Sequence, residues 1–406
     1  MTPFLQLAFT LAVIILAAKI AGHLSTRIGQ PSVLGELIVG LLLGPSLVDL
    51  THLSFITDGH LHETIYKLGE LGVLLLMFIA GLELHISDLK QNTRVAAYSG
   101  TLGVVVPVAF GYVMGLILGE SSDRAFFLGL SLGATSVSIS AQTLIELKAL
   151  RSRVGFSLLG AAVFDDILVI LILSIFLALI EGSGGVIQIL FVVLKMILFL
   201  ALSTGFGLWV LPRLTRMVKR LPISQGSLSI AIVVMLVYGL AAEMVGGMAA
   251  ITGTFIAGLM FARTPEKRDI EPGLHAISYG FFVPIFFVTI GLGVDISNLG
   301  TEALWIALVI SVIAILGKVI GSGIGARIGG TSWLESLQIS IGMISRGEVG
   351  LIVAQIGVNQ GLVDSTIFSA IIAMIIITTL VTPPLLRGSF KLTPRINQTN
   401  SMEADS

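Results

Sequence analysis

Asp165 and Asp166 stand side by side in AAVFDDILVIL, residues 161 to 171, with no basic residue in the run. Carboxylates in such a setting can hold a hard cation through oxygen, carry a proton, or pair with a distant base. Few other ionisable groups lie as deep in apolar sequence: Lys318 in ILGKVIGSGIGARIGG, and Arg346 with Glu348 in ISRGEVG. Neighbouring residues of a helix point about 100° apart, so the two aspartates cannot both face one lysine. One can hold Lys318 while the other faces an ion route. A carboxylate beside a second carboxylate and a lysine feels opposing pulls on its proton. That suits a group that takes up and releases protons, and proton and cation competing for one carboxylate is a minimal exchange mechanism.

The elements that must position these groups follow from composition. Of the 406 residues 55% are hydrophobic and 12% charged, and the mean hydropathy is +1.01. This is the composition of a membrane protein, with no segment left over for a soluble domain. Crossing ~30 Å of hydrocarbon takes about 20 apolar residues. Runs of that kind predict about thirteen helices: 4–22, 31–50, 67–86, 94–118, 124–147, 154–180, 186–211, 223–243, 247–262, 276–294, 302–326, 333–357 and 365–386. The joints alternate in charge. One side gathers basic residues such as Lys148, Arg151, Arg153, Arg216, Lys219, Arg220 and Arg387, whereas the other carries Lys67 and Arg124 among several acids. By the positive-inside rule the N-terminus lies outside and the C-terminus in the cytoplasm. At about 1.5 Å per residue, Asp165 and Lys318 then differ by only ~3 Å in depth, so they can meet. Insertion scales put the cost of each buried charge at about 2.5–3.5 kcal/mol, so such residues mark an ion or proton path.

The sequence also hides a repeat. GLELHISDL at 81–89 and GLGVDISNL at 291–299 correspond at an offset of 210, one leaving the membrane inside and the other outside. The same offset carries ATSVSIS at 134–140 onto ISRGEVG at 344–350. Both interrupt a helix near its middle. Hydroxyls of Thr135, Ser136 and Ser138 can satisfy backbone groups freed by unwinding. Paired broken helices in inverted repeats mark the binding site of a transporter, and their half-helix dipoles help compensate charge there. Arg346 and Glu348, two apart, do not face each other on a regular helix, so a break would have to bring them together.

Other polar residues receive quieter readings. Glu36, Glu70, Glu83, Glu146 and Glu243 lie near span ends and read as interface residues; Lys195 reads as a snorkelling lysine. His52, His60 and His62 have no helical metal spacing. Cysteine is absent, which excludes disulfides and thiolate metal sites. The first span lacks the basic flank of a cleaved signal peptide and is expected to remain. The tail, 388–406, reads as disordered and too short for a nucleotide-sensing domain. No cofactor and no nucleic-acid partner is expected. A channel needs no titrating lysine partner, and an intramembrane aspartyl protease needs aspartates from different helices, so both fit less well than a transporter.

With ATSVSIS, FDD, LGKVIG and SRGEVGLIVAQIG in view, the chain resembles the bacterial cation:proton antiporter-2 family, of the NapA and GerN type. The resemblance covers nearly the whole chain. It implies an all-α polytopic fold of two inverted repeats with two crossed broken helices, assembled as a homodimer in the cytoplasmic membrane among lipid. It further implies a dimer domain (1–93 and 222–299), a moving core (94–184 and 300–387) and a linker helix (185–221). By position, Asp166 resembles the cation and proton carboxylate, the residue that would bind Na⁺, and Asp165 the partner of Lys318. Thr135, Ser136, Ser138, Arg346 and Glu348 fall in the unwound crossing. The implied activity is exchange of Na⁺, with Li⁺ also, for protons by an elevator movement, electrogenic because both aspartates are present. Exchange of K⁺ for protons and sodium-coupled solute symport remain as alternatives. Ser345 departs from the family, many of whose members have proline there.

Overall fold

A computed structural model of the chain describes residues 1–45, 47–84, 86–180, 186–222, 224–293 and 301–392. The paired motifs at 81–89 and 291–299 each include residues outside this set, as does the tail from 393 onward. Among the described residues the fold is entirely helical: α1 Pro3–Arg27, α2 Ser32–Leu43, α3 Leu61–Glu83, α4 Ile86–Ile117, α5 Ser122–Gly133, α6 Val137–Glu146, α7 Arg153–Ile180, α8 Val186–Gly205, α9 Leu211–Lys219, α10 Gly226–Ala241, α11 Ala250–Phe261, α12 Lys267–Ile277, α13 Val283–Leu292, α14 Thr301–Ile328, α15 Trp333–Gly342, α16 Glu348–Asn359 and α17 Ser365–Lys391. Helix α17 thus runs past residue 388, where the sequence suggested the tail begins. Among the described residues ten helical stretches are long and apolar enough to cross a membrane, and Ser32–Leu43 and Ala250–Phe261 are shorter apolar helices.

Local chemistry sets the helix ends. Thr2 caps α1, which has Pro3 in its first turn. Ser332 and Glu335 form a reciprocal capping box on α15, and Asp364 caps α17 through the amide of Ile367. These side chains satisfy amides that a helix start leaves without partners. Large apolar side chains such as Leu16, Trp209 and Trp305 point outward. In water such a surface would aggregate; in lipid it is the expected exterior.

Packing falls into two sets of helices. In one, α2 lies on α1 and α13, and α3 on α11 and α13, with α10 against α11. In the other, α4 lies along α14, α5 and α7, and α17 along α14 and α15. Glycine brings backbones into contact within each set. A methyl group at Gly258 would lie 2.1 Å from the Phe78 carbonyl oxygen, and one at Gly321 would lie 2.3 Å from that of Leu102. No side-chain layer separates helices held this way.

Candidate ion-binding site at a crossing of interrupted helices

The helical stretch containing α5 and α6 breaks over Ala134–Ser136, and the stretch containing α15 and α16 breaks over Met343–Gly347. The two breaks meet. The Ser136 amide donates to the Ser345 carbonyl (2.8 Å), and the Ser345 hydroxyl donates to the Ser136 carbonyl (2.6 Å). Ser140 adds a 2.5 Å bond from its hydroxyl to the Gly342 carbonyl, and the Ser136 and Ser138 hydroxyls lie 2.9 Å apart. Gly347 is needed by contact, since a methyl group there would lie 2.6 Å from the Ser136 hydroxyl. The polar run thus supplies the partners that a helix break removes.

Arg346 is fully buried. Its guanidinium donates to the Ile344 carbonyl, to that of Leu132 (2.7 Å) and to that of Ala314 (3.1 Å). Leu132 lies in the last turn of α5 and Ile344 just past α15, so the cation sits at the negative ends of two half-helices. Thr379 of α17 donates to the Arg346 carbonyl (2.6 Å). The arginine is therefore spent on backbone carbonyls that hold the crossing together. The expectation that the break brings Arg346 to Glu348 concerns a side chain outside the described residues, although the Glu348 backbone opens α16.

The two aspartates part as helical geometry requires. Lys318 Nζ lies 2.5 Å from Asp165 Oδ1, with both side chains wholly buried. Asp166, 5% exposed, accepts a bond of 3.1 Å at Oδ2 from the Thr252 hydroxyl. Among the described residues, Asp165 Oδ2 and the hydroxyl of Thr135 are buried and make no full hydrogen bond, although Thr135 lies beside the Asp165 carboxylate. Buried oxygens left in this way suit a hard cation, which takes carboxylate and hydroxyl oxygen as ligands.

Several contributors escaped the sequence reading. Thr252 is the third residue of α11, whose start follows a π-turn at Ala242–Gly246 and a left-handed Gly247 (φ 61°). Ser140 and Ser345 fell inside the two motifs read as helix breaks, but their individual partners were not foreseen, and Thr379 carried no signal. Two expected interface residues are corrected as well. Glu36 is buried, 6% exposed, and Glu146 accepts from the Ser32 amide and hydroxyl (2.6 Å each) and from Gln142 (3.0 Å), joining α6 to α2.

A cavity of about 300 Å³ reaches the crossing between α3, α13 and α17, lined by His62, Tyr66, Glu70, Thr289, Gly347 and Ile372. A larger apolar groove between α8 and α10, about 510 Å³, takes in none of the residues of the crossing.

The chain is similar to known proteins. Residues 12–388 match the family described as sodium/hydrogen exchanger, transmembrane. The chain is similar to the Na⁺/H⁺-K⁺ antiporter GerN of Bacillus cereus, with 40% identity covering 94% of this chain and 96% of that protein. It is also similar to a Na⁺/H⁺ antiporter of Enterococcus hirae, with 34% identity covering 93% and 96%. Its fold resembles that of the sodium proton antiporter MjNhaP1 from Methanocaldococcus jannaschii, with a TM-score of 0.68 over 96% of this chain and 99% of that one, at 16% identity. Extended sequence similarity, the match to the family as a whole and the shared fold agree: the chain belongs to the sodium/hydrogen exchanger family.

Proposed function

We propose that the protein exchanges Na⁺, and Li⁺ with it, for protons across a bacterial cytoplasmic membrane, with Asp166 as the carboxylate over which the two compete. One observation carries this reading: adjacent buried carboxylates have been given different partners, Asp165 an ammonium and Asp166 a hydroxyl. An aspartate held by lysine through Oδ1 has only Oδ2 left to offer a cation. One bonded to a neutral hydroxyl can trade that bond for an ion. Asp165 Oδ2 and the hydroxyls of Thr135, Ser136 and Ser138 complete the oxygen set around it.

Alternating access is an elevator movement of the α4–α7–α14–α17 set, the core, against the α1–α3–α11–α13 set, the dimer domain, with α8 and α9 as linker. The backbone-to-backbone packing within each set supports treating each as one body. On this reading the chain has thirteen spans in two inverted repeats, an outer N-terminus and a cytoplasmic C-terminus, and works as a homodimer. Exchange is electrogenic because Asp165 and Lys318 add a second proton-carrying group beside Asp166. A K⁺/H⁺ variant of the same exchange is the second reading, favoured by the name of the GerN relative, which includes potassium.

Proteoliposomes carrying a pH gradient test this directly, with Na⁺, Li⁺ and K⁺ added in turn and proton movement read by fluorescence dequenching. Cation-dependent dequenching by wild type, lost in Asp166→Asn, is the expected result. Absence of dequenching with every cation, or full exchange by Asp166→Asn, overturns the assignment.

A further inference from the structure

We propose that Thr252 is a positioning residue that ties the unloaded Asp166 to the dimer domain and so enforces coupling. The inference rests on the reading of Asp166 as the substrate carboxylate. Asp166 belongs to α7, which packs on α4 and α15, whereas Thr252 belongs to α11, which packs on α3 and α10. Their 3.1 Å bond therefore joins the two sets of helices, and it breaks whenever one slides past the other.

The bond depends on what Asp166 holds. Thr252 lies in the first turn of α11, whose free amides carry partial positive charge, and its hydroxyl donates to the carboxylate. Both features favour a bare negative group. A cation or proton on the carboxylate cancels the negative charge that the Thr252 hydroxyl and the start of α11 attract. Loading thus weakens the tie, and the empty carrier keeps it at full strength. An exchanger needs this asymmetry: a carrier that crosses empty lets Na⁺ run down its gradient with nothing returned. The unusual path into α11, through a π-turn and a left-handed glycine, brings a helix start to the depth where it can serve.

The test is the ratio of net efflux to exchange. Proteoliposomes are loaded with radioactive sodium and diluted into alkaline, proton-poor choline medium, with or without Na⁺ outside and with charge balanced by a permeant lipophilic anion. Wild type should release sodium quickly only when Na⁺ is present outside. In Thr252→Val, which keeps shape and removes the hydroxyl, net efflux relative to exchange should rise about tenfold, the factor carried by one hydrogen bond to a charged acceptor. Thr252→Ser should restore the wild-type ratio. An unchanged ratio in Thr252→Val, or no rescue by Thr252→Ser, overturns the proposal. Should the valine variant be inactive, Thr252→Ala takes the same measurement, and loss of exchange in both also overturns it. Loss of wild-type exchange in Asp166→Asn, with unaltered coupling in the Thr252 variants, removes this inference and leaves the antiport reading standing.

Discussion

Ser136 and Ser345 exchange two hydrogen bonds, amide to carbonyl at 2.8 Å in one direction and hydroxyl to carbonyl at 2.6 Å in the other. Each interrupted helix is thereby completed by the other, and neither break is stable alone. Ser345→Ala removes one of the two bonds and should lower stability by about 1 kcal/mol. A melting curve of the detergent-solubilised protein reads this, and an unshifted midpoint would show that the hydroxyl contributes nothing to the crossing.

Lys318→Ala leaves Asp165 buried without its ammonium. Breaking such a pair costs about 3–5 kcal/mol, because the surviving charge is uncompensated. Thermal stability should fall sharply, and the charge moved per turnover on a solid-supported membrane should fall with it. Adding Asp165→Asn should recover most of the stability without restoring the charge movement. Lys318→Ala with native melting and native currents would remove the proposed role of the pair.

Arg346→Met keeps an unbranched but shorter apolar stem and strips three carbonyls of a charged donor. Hydrogen bonds to charged groups contribute about 1.5–3 kcal/mol each, so the variant should lose cooperative melting outright. Arg346→Lys, with one compact ammonium in place of a planar fork, should fall between. Ordinary melting in both variants would mean that the crossing stands without this side chain.

Thr135→Val removes a hydroxyl that makes no full hydrogen bond among the described residues but lies beside the Asp165 carboxylate, so stability should fall little. The cation concentration giving half-maximal dequenching should rise about tenfold if a ligand is lost, and Thr135→Ser should behave as wild type. An unaltered concentration dependence excludes Thr135 from the ion's oxygen set.

The meeting of Asp165 with Lys318 was legible in the sequence because helical rise fixes depth, and both residues can be counted from the basic end of their spans. The breaks were legible for a similar reason. A hydroxyl-rich run in one helix and a charged one in the other are too polar for lipid unless they supply their own partners. Thr252 was not legible: a threonine near the start of an apolar helix is ordinary, and its importance comes from a contact between residues 86 positions apart. Nor was the use of Arg346, since its acceptors are backbone carbonyls, which every residue possesses. Glu36 and Glu146 were read as interface residues because proximity to a span end does not distinguish a solvated carboxylate from one buried against, or hydrogen-bonded to, a neighbouring helix.

The cavity lined by His62, Tyr66, Glu70, Thr289, Gly347 and Ile372 has walls from both sets of helices. On the proposed elevator movement, sliding of one set past the other changes the shape of this space. A small rigid molecule with an apolar body and one cationic end, matched to Glu70, would act there as a wedge. It would arrest the transporter without competing for Asp166, and its inhibition would not be relieved by raising the sodium concentration.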